Sequence, residues 1–228
     1  MEQPGTLINE AISRPIKNQF IDISAPIHDS MTGWPGLPHV SVQKFQDLHK
    51  GDDVNITTFS MPVHSGTHID APRHLYKNGN DITLVDFESV IGLCRVIQIP
   101  ARAKSVLPEH IENAAIQEGE RILFKTSNSD IDWTSKNFQR DFIFLSTPAA
   151  ELLANIKVKS VGLDYICIGN RGNHKLVHSI LFETGISVIE GLNLAEASPG
   201  SYELFCLPLK ILGADAAPSR AILRTINQ

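Results

Sequence analysis

His64-Ser65-Gly66-Thr67-His68-Ile69-Asp70-Ala71-Pro72-Arg73-His74 gathers three imidazoles and a carboxylate into eleven residues. These are donors that borderline divalent cations such as Zn²⁺ or Mn²⁺ accept, and an ion with an open position activates water for hydrolysis. His64, His68, Asp70 and His74 are all an even number of residues apart, so an extended chain would present them on one face. A straight strand at roughly 3.3 Å per residue would nevertheless set His64 and His68 about 13 Å apart. Donors at about 2.0 to 2.2 Å from one ion must lie within a few ångströms of each other, so the chain has to fold back. Ser65-Gly66-Thr67 is a poor helix interior, Gly66 opens dihedrals closed to other residues, and Pro72 biases Ala71 towards extended geometry. The expected layout is a strand ending near His64, a tight turn and an irregular ligand loop. His28, His39, His49 and His110 stand alone and read as surface or hydrogen-bonded residues.

The rest of the chain is compatible with one sizeable α/β domain. It has 228 residues, 42% of them hydrophobic, and no Ser-, Gly- or charge-rich linker. A net charge of −5 gives no global electrostatic reason to expect nucleic acid or an anionic membrane as partner. Cys94, Cys167 and Cys206 are too few, and odd in number, for a disulfide scaffold, and read as free thiols in a reducing compartment. With no apolar stretch of membrane-spanning length and no basic-then-apolar leader, the expected location is the cytoplasm. Residues 1–18 read as a loosely ordered lead-in and 19–228 as the domain.

Hydrophobic patterning predicts strands at 20–27, 40–46, 55–64, 90–99, 121–126, 142–146, 161–167, 186–190 and 202–211, and helices at 108–117, 148–157 and 173–184. Pro108 and Pro148 suit helix first turns. Asn173 can cap the third helix, Gly185 can end it, and Ile186 to Ile189 form a buried β-branched run. Glu190 closes that run, where a carboxylate needs a cation or hydrogen bonds to offset its desolvation. Such a mixture suits a layered α/β domain or a distorted barrel with peripheral helices.

The pattern His-x-Gly-Thr-His-x-Asp-x-Pro-x-His resembles the signature of the cyclase-like metal-dependent hydrolases, the group that includes bacterial kynurenine formamidase and isatin hydrolase. His178 and Glu190, with eleven residues between them, are similar to the pair that completes the family's two-metal site. Asp22-Ile23-Ser24-Ala25-Pro26-Ile27, Trp34-Pro35-Gly36, Val161-Gly162-Leu163-Asp164 and Asp215-Ala216-Ala217-Pro218-Ser219-Arg220-Ala221 resemble further family segments. Cys167 and Asn170 depart from the Ser and Asp that members often carry, and Ala216 stands where Gly is common.

The resemblance implies the swivelling β/β/α fold, one or two divalent ions, and a homo-oligomer, dimeric or tetrameric. It implies that His64, His68 and Asp70 hold a first ion, that Asp70 reaches a second with His178 and Glu190, and that His74 is the catalytic acid-base. His174, four residues before His178 on the same helical face, competes for the ligand role; family spacing favours His178. Trp34 is a candidate aromatic wall. Arg73 either binds a substrate carboxylate through bidentate hydrogen bonds or points to solvent.

The expected activity is hydrolysis of a small amide-type carbonyl by metal-bound hydroxide, with an aryl formamide such as N-formylkynurenine as leading substrate. No Gly-x-Ser-x-Gly elbow supports a serine hydrolase. An isatin-like lactam or other small cyclic amide or ester is the alternative substrate, and a non-catalytic metal or small-ligand binding protein is the alternative class.

Overall fold

The computed structural model describes residues 19–135 and 137–226. The expected lead-in over 1–18 lies outside the described residues. Among the described residues twelve strands follow in chain order: β1 (Phe20–Asp22), β2 (Ser41–Gln46), β3 (Ile56–Ser60), β4 (His68–Asp70), β5 (Ile91–Gln98), β6 (Ser105–Val106), β7 (Arg121–Lys125), β8 (Phe144–Leu145), β9 (Ser160–Leu163), β10 (Ser187–Glu190), β11 (Gly200–Pro208) and β12 (Ala216–Thr225). The helices are α1 (Phe87–Val90), α2 (Pro108–Asn113), α3 (Thr147–Ile156) and α4 (His174–Glu183). Eight strands form the main sheet in the order β1-β12-β11-β5-β7-β9-β10-β4, and a β4–β12 pairing closes seven of them into a ring with β1 outside. This is the distorted barrel with peripheral helices expected from the sequence.

Period-two alternation sorts side chains between two cores. Leu123, Ile189, Ile69, Ala217 and Leu204 pack together in one apolar cluster. Ile122, Phe124, Val161, Leu163 and Val188 join the buried faces of α3 and α4 in the other. Since Ile69 and Ile189 belong to the first cluster, His68, Asp70 and Glu190 project from the opposite face, towards α4. The site therefore sits between sheet and helix.

Local chemistry explains the helix ends. Ser146 caps α3 by accepting the Ala149 N–H at 3.3 Å, and Pro148 occupies its first turn. Pro108 likewise opens α2, which ends at Asn113, short of the expected 117, because Ala115 turns to φ 48°. Asn173 precedes α4 but leaves its N-terminus uncapped. Its side-chain oxygen accepts the Asn170 N–H at 2.9 Å and its amide donates to the Leu145 carbonyl at 3.0 Å, which pins the loop instead.

Three expectations about strands are corrected. The strand expected to end near His64 stops at Ser60, and His64 lies in the turn beyond Pro62. The segment expected as an irregular ligand loop contains β4, whose three residues pair on both sides with β10 and β12. The last expected strand ends at Pro208, and a further ten-residue strand, β12, follows it. Pro218 argues against a strand in sequence. Here it stands opposite His68 at the end of β4, and Ser219 donates to the Thr67 carbonyl at 2.9 Å to continue the ladder.

Asp164, at the acidic end of β9, is fully buried but outside the candidate site. Its carboxyl accepts from the Thr126 N–H at 2.8 Å, the Thr126 hydroxyl at 2.7 Å and the Ser129 hydroxyl at 2.7 Å. Burial outweighs these bonds and pushes its pKa up to about 6. Among the described residues no helix is long and apolar enough to cross a membrane.

Candidate metal centre

The short strand β4 sets the centre. His68 stands opposite Glu190 in the β4–β10 pairing, and Asp70 two residues on shares its face. The turn before β4 docks on the end of β10: the Thr67 hydroxyl donates to the Gly191 carbonyl at 2.6 Å and accepts the Ala25 N–H at 2.8 Å. A Cβ at Gly191 would lie 2.0 Å from the Gly66 carbonyl oxygen, so only glycine lets the two turns approach this closely. That Gly66 carbonyl accepts the Nδ1–H of His68 at 2.9 Å. On α4, the His174 carbonyl accepts the Nδ1–H of His178 at 2.7 Å. Both rings are thereby held in the tautomer that aims Nε2 into the centre, the arrangement metal-binding histidines commonly show.

The five expected ligands converge. His64 Nδ1 lies 2.9 Å from Asp70 Oδ1, and His68 Nε2 lies 3.4 Å from that same oxygen and 3.3 Å from Glu190 Oε2. His178 Nε2 lies 3.0 Å from Asp70 Oδ2 and 3.1 Å from Glu190 Oε1. Glu190 Oε1 also accepts the Ile168 N–H at 2.7 Å. Asp70 stands in the middle, with one oxygen facing His64 and His68 and the other facing His178.

Burial makes this set costly without a cation. His68 is fully buried, and His178, Asp70 and Glu190 expose no more than 4% of their surface. Burial opposes charge on His68, yet Asp70 and Glu190 overcome it and raise the ring to about 10; His178 moves up for the same reasons. Burial also works against the carboxylates, and the surrounding imidazoles still hold Asp70 well below the usual range and Glu190 down at about 2. His68 Nε2 makes no hydrogen bond although it is fully buried, and Asp70 Oδ1 is met only by the imidazoles of His64 and His68. A buried ring nitrogen without a hydrogen bond, aimed at carboxylate oxygens, fits a divalent ion.

His74 lies beside these residues, with its ring 4.3 Å from that of His64 and 5.6 Å from that of His178, centroid to centroid. Burial lowers its pKa, and the charges on His64 and His178 add to this against the pull of Asp70 and Glu190. A cavity of about 270 Å³ opens onto His64, His74, His178 and Glu190, walled by Trp34, Leu37 and Ile166. Trp34 is braced edge-on by Phe138 at 5.3 Å. His174 also lines this cavity, next to Trp34, but does not join the ligand set. Arg73 is not brought to the site: it is exposed on the turn after Pro72, its charge facing Asp81.

Two neighbours carried no assigned role in the sequence reading. Asp215, just before β12, lies 2.9 Å from His64 Nε2 and 3.5 Å from His74 Nδ1. It can hold the Nε2–H of His64 while Nδ1 faces the centre. Cys167 lies against Glu190 and His178. Both sit in segments noted for family resemblance or departure, but nothing local marks either residue as reaching the cluster.

The cyclase family model matches residues 21–169, and the chain belongs to this family. The chain is 36% identical over 212 residues to a kynurenine formamidase of Salinibacter ruber, covering 90% of this chain and 97% of that one. A solved structure described as a potential metal-dependent hydrolase with cyclase activity is 31% identical, with a TM-score of 0.81 over 92% of this chain and 98% of its own. Isatin hydrolase A from Labrenzia aggregata shares the fold at 19% identity, with a TM-score of 0.79 over 97% of this chain and 100% of its own.

Two outcomes are expected. Adding Zn²⁺ to metal-free protein at pH 7 releases at least one proton per chain, because rings with raised pKa values must lose their protons to bind an ion, and affinity falls as pH falls. Calorimetry in buffers of different ionisation enthalpy measures the release. Asp215→Asn weakens metal binding roughly 10- to 100-fold by loosening the His64 ring, read by competition with a chromophoric chelator.

Proposed function

We propose that the chain, with residues 19–228 as its catalytic unit, is a metal-dependent hydrolase that cleaves the formamide of N-formylkynurenine or a similar aryl formamide. The observation that carries this reading is the convergence of His64, His68, Asp70, His178 and Glu190 beside the His74 ring. The kynurenine formamidase relatives support the formamide, and a Trp34-walled cavity suits an aromatic ring next to the reacting carbonyl.

A divalent ion, Zn²⁺ or Mn²⁺, would be held by His64, His68 and Asp70, with a second on Asp70, His178 and Glu190, and supplies Lewis acidity and activation of water. Asp70 turns one oxygen to His64 and His68 and the other to His178, so it could serve both sets. His74 takes a proton as water adds to the formyl carbon and returns it to the departing aryl nitrogen as the C–N bond breaks. Asp215, within 3.5 Å of His74 Nδ1, holds that ring in place and steadies it while it carries the proton. Trp34 and Ile166 exclude water from the aromatic part of the substrate.

The working form is a homo-oligomer, dimeric or tetrameric, in the cytoplasm. The β2–β3 hairpin supports the first point: it pairs only with itself among the described strands, and Phe45 and Phe59 are 72% and 60% exposed on it. A two-stranded ribbon is marginal alone and gains stability when covered. Three buried free thiols suit a reducing compartment.

N-formylkynurenine is expected to turn over faster than isatin in a sample of measured metal content, with activity abolished by chelation and restored by Zn²⁺ or Mn²⁺; full activity in verified metal-free protein refutes the reading. His74→Ala is expected to keep near-normal metal content and lose roughly 10²- to 10⁴-fold in turnover. Lost metal in that variant makes His74 a ligand instead.

A further inference from the structure

Cys167 is the one thiol of the three that reaches the cavity; Cys94 and Cys206 belong to the apolar cluster beneath the sheet. The residue follows β9 on the bend that also presents the Ile168 N–H to Glu190. Its sulfur accepts the Gly169 N–H and faces the Glu190 carboxylate. Donor atoms of Cys167, His178 and Glu190 all lie within 4.8 Å of one another, and all three residues are buried. On a tetrahedral zinc ion, with bonds of about 2.3 Å to sulfur and 2.0 to 2.1 Å to nitrogen, donors stand roughly 3.5 Å apart. A small inward movement of side chains spans the difference.

We propose that Cys167 is a ligand of the second ion, completing a set with His178 Nε2, Glu190 and Asp70 Oδ2. This inference rests on the metal-dependent reading above and deepens it. His178 Nε2, 3.0 Å from Asp70 Oδ2 and 3.1 Å from Glu190 Oε1, already faces the two carboxylates that would share this ion with the sulfur. Binding replaces the S–H proton with the ion, and that proton leaves to solvent.

Two consequences follow for this chain. A thiolate donor selects for Zn²⁺ over Mn²⁺ at the second position, since hard-ligand ions gain little from sulfur. Four protein donors also close that position, as in structural zinc sites, and leave the first ion, on His64, His68 and Asp70, as the one with room for water.

Cobalt titration of the metal-free full-length protein tests this. Bound Co²⁺ gives visible d–d bands whatever its donors, whereas a thiolate adds an intense near-ultraviolet charge-transfer band. The expected result is both signals in the wild type, with the charge-transfer band missing and the d–d bands kept in Cys167→Ser. That variant should also show the Zn²⁺-over-Mn²⁺ affinity ratio reduced roughly tenfold or more. Zinc X-ray absorption on the wild type needs no variant and should show a sulfur neighbour at about 2.3 Å. Bound cobalt without the charge-transfer band, a band that survives Cys167→Ser, or a zinc shell of nitrogen and oxygen alone overturns the proposal while leaving the hydrolase reading intact. Absence of d–d bands means that no cobalt binds, and both fail.

Discussion

Two carboxylates removed from water govern this structure. Asp70 and Glu190 lie side by side behind the sheet, and neither could remain ionised there without positive charge around it. The imidazoles of His64, His68 and His178, each with a raised pKa, can supply that charge as protons, and a bound cation would take their place. The same geometry serves both states because the rings are fixed from behind by the Gly66 and His174 carbonyls rather than by the carboxylates they face. Preorganisation of this kind separates a binding site from a chance cluster of charges.

The closed ring of strands delivers these groups from distant parts of the chain. Residues 68–70 meet residues 188–190 on one side and 216–218 on the other, so one three-residue strand brings together the middle and the end of the sequence. Alternation sends Ile69 and Ile189 into one core and His68, Asp70 and Glu190 into the site. The helix carrying His178 then needs only to lie across that face, which Val177 and Leu181 achieve by packing against the sheet. The cavity then opens between this helix, the His74 turn and Trp34.

Much of the site was legible in the sequence because its residues are chemically conspicuous. His64 through His74 is too dense in donors to serve packing, and Glu190 ends a run of apolar residues where a charge needs a reason. The strands were less legible where their patterns are short or interrupted. β4 has three residues, too few for alternation to register, and β12 contains Pro218, which argues against a strand until its neighbour is known to end there. Asp215 was invisible for a different reason: its role depends on closure of the ring, a property of no local segment. Arg73 differs again, because side-chain direction on a tight turn cannot be read from adjacency to His74.

The strand that closes the ring also carries two of the five candidate ligands, His68 and Asp70. Most barrels could shed a bound cofactor and keep their hoop intact, since the hoop is zipped by long ladders elsewhere. Here a strand of only three residues closes the hoop on both sides and carries two of the candidate ligands, so an ion held there would also clamp the closure.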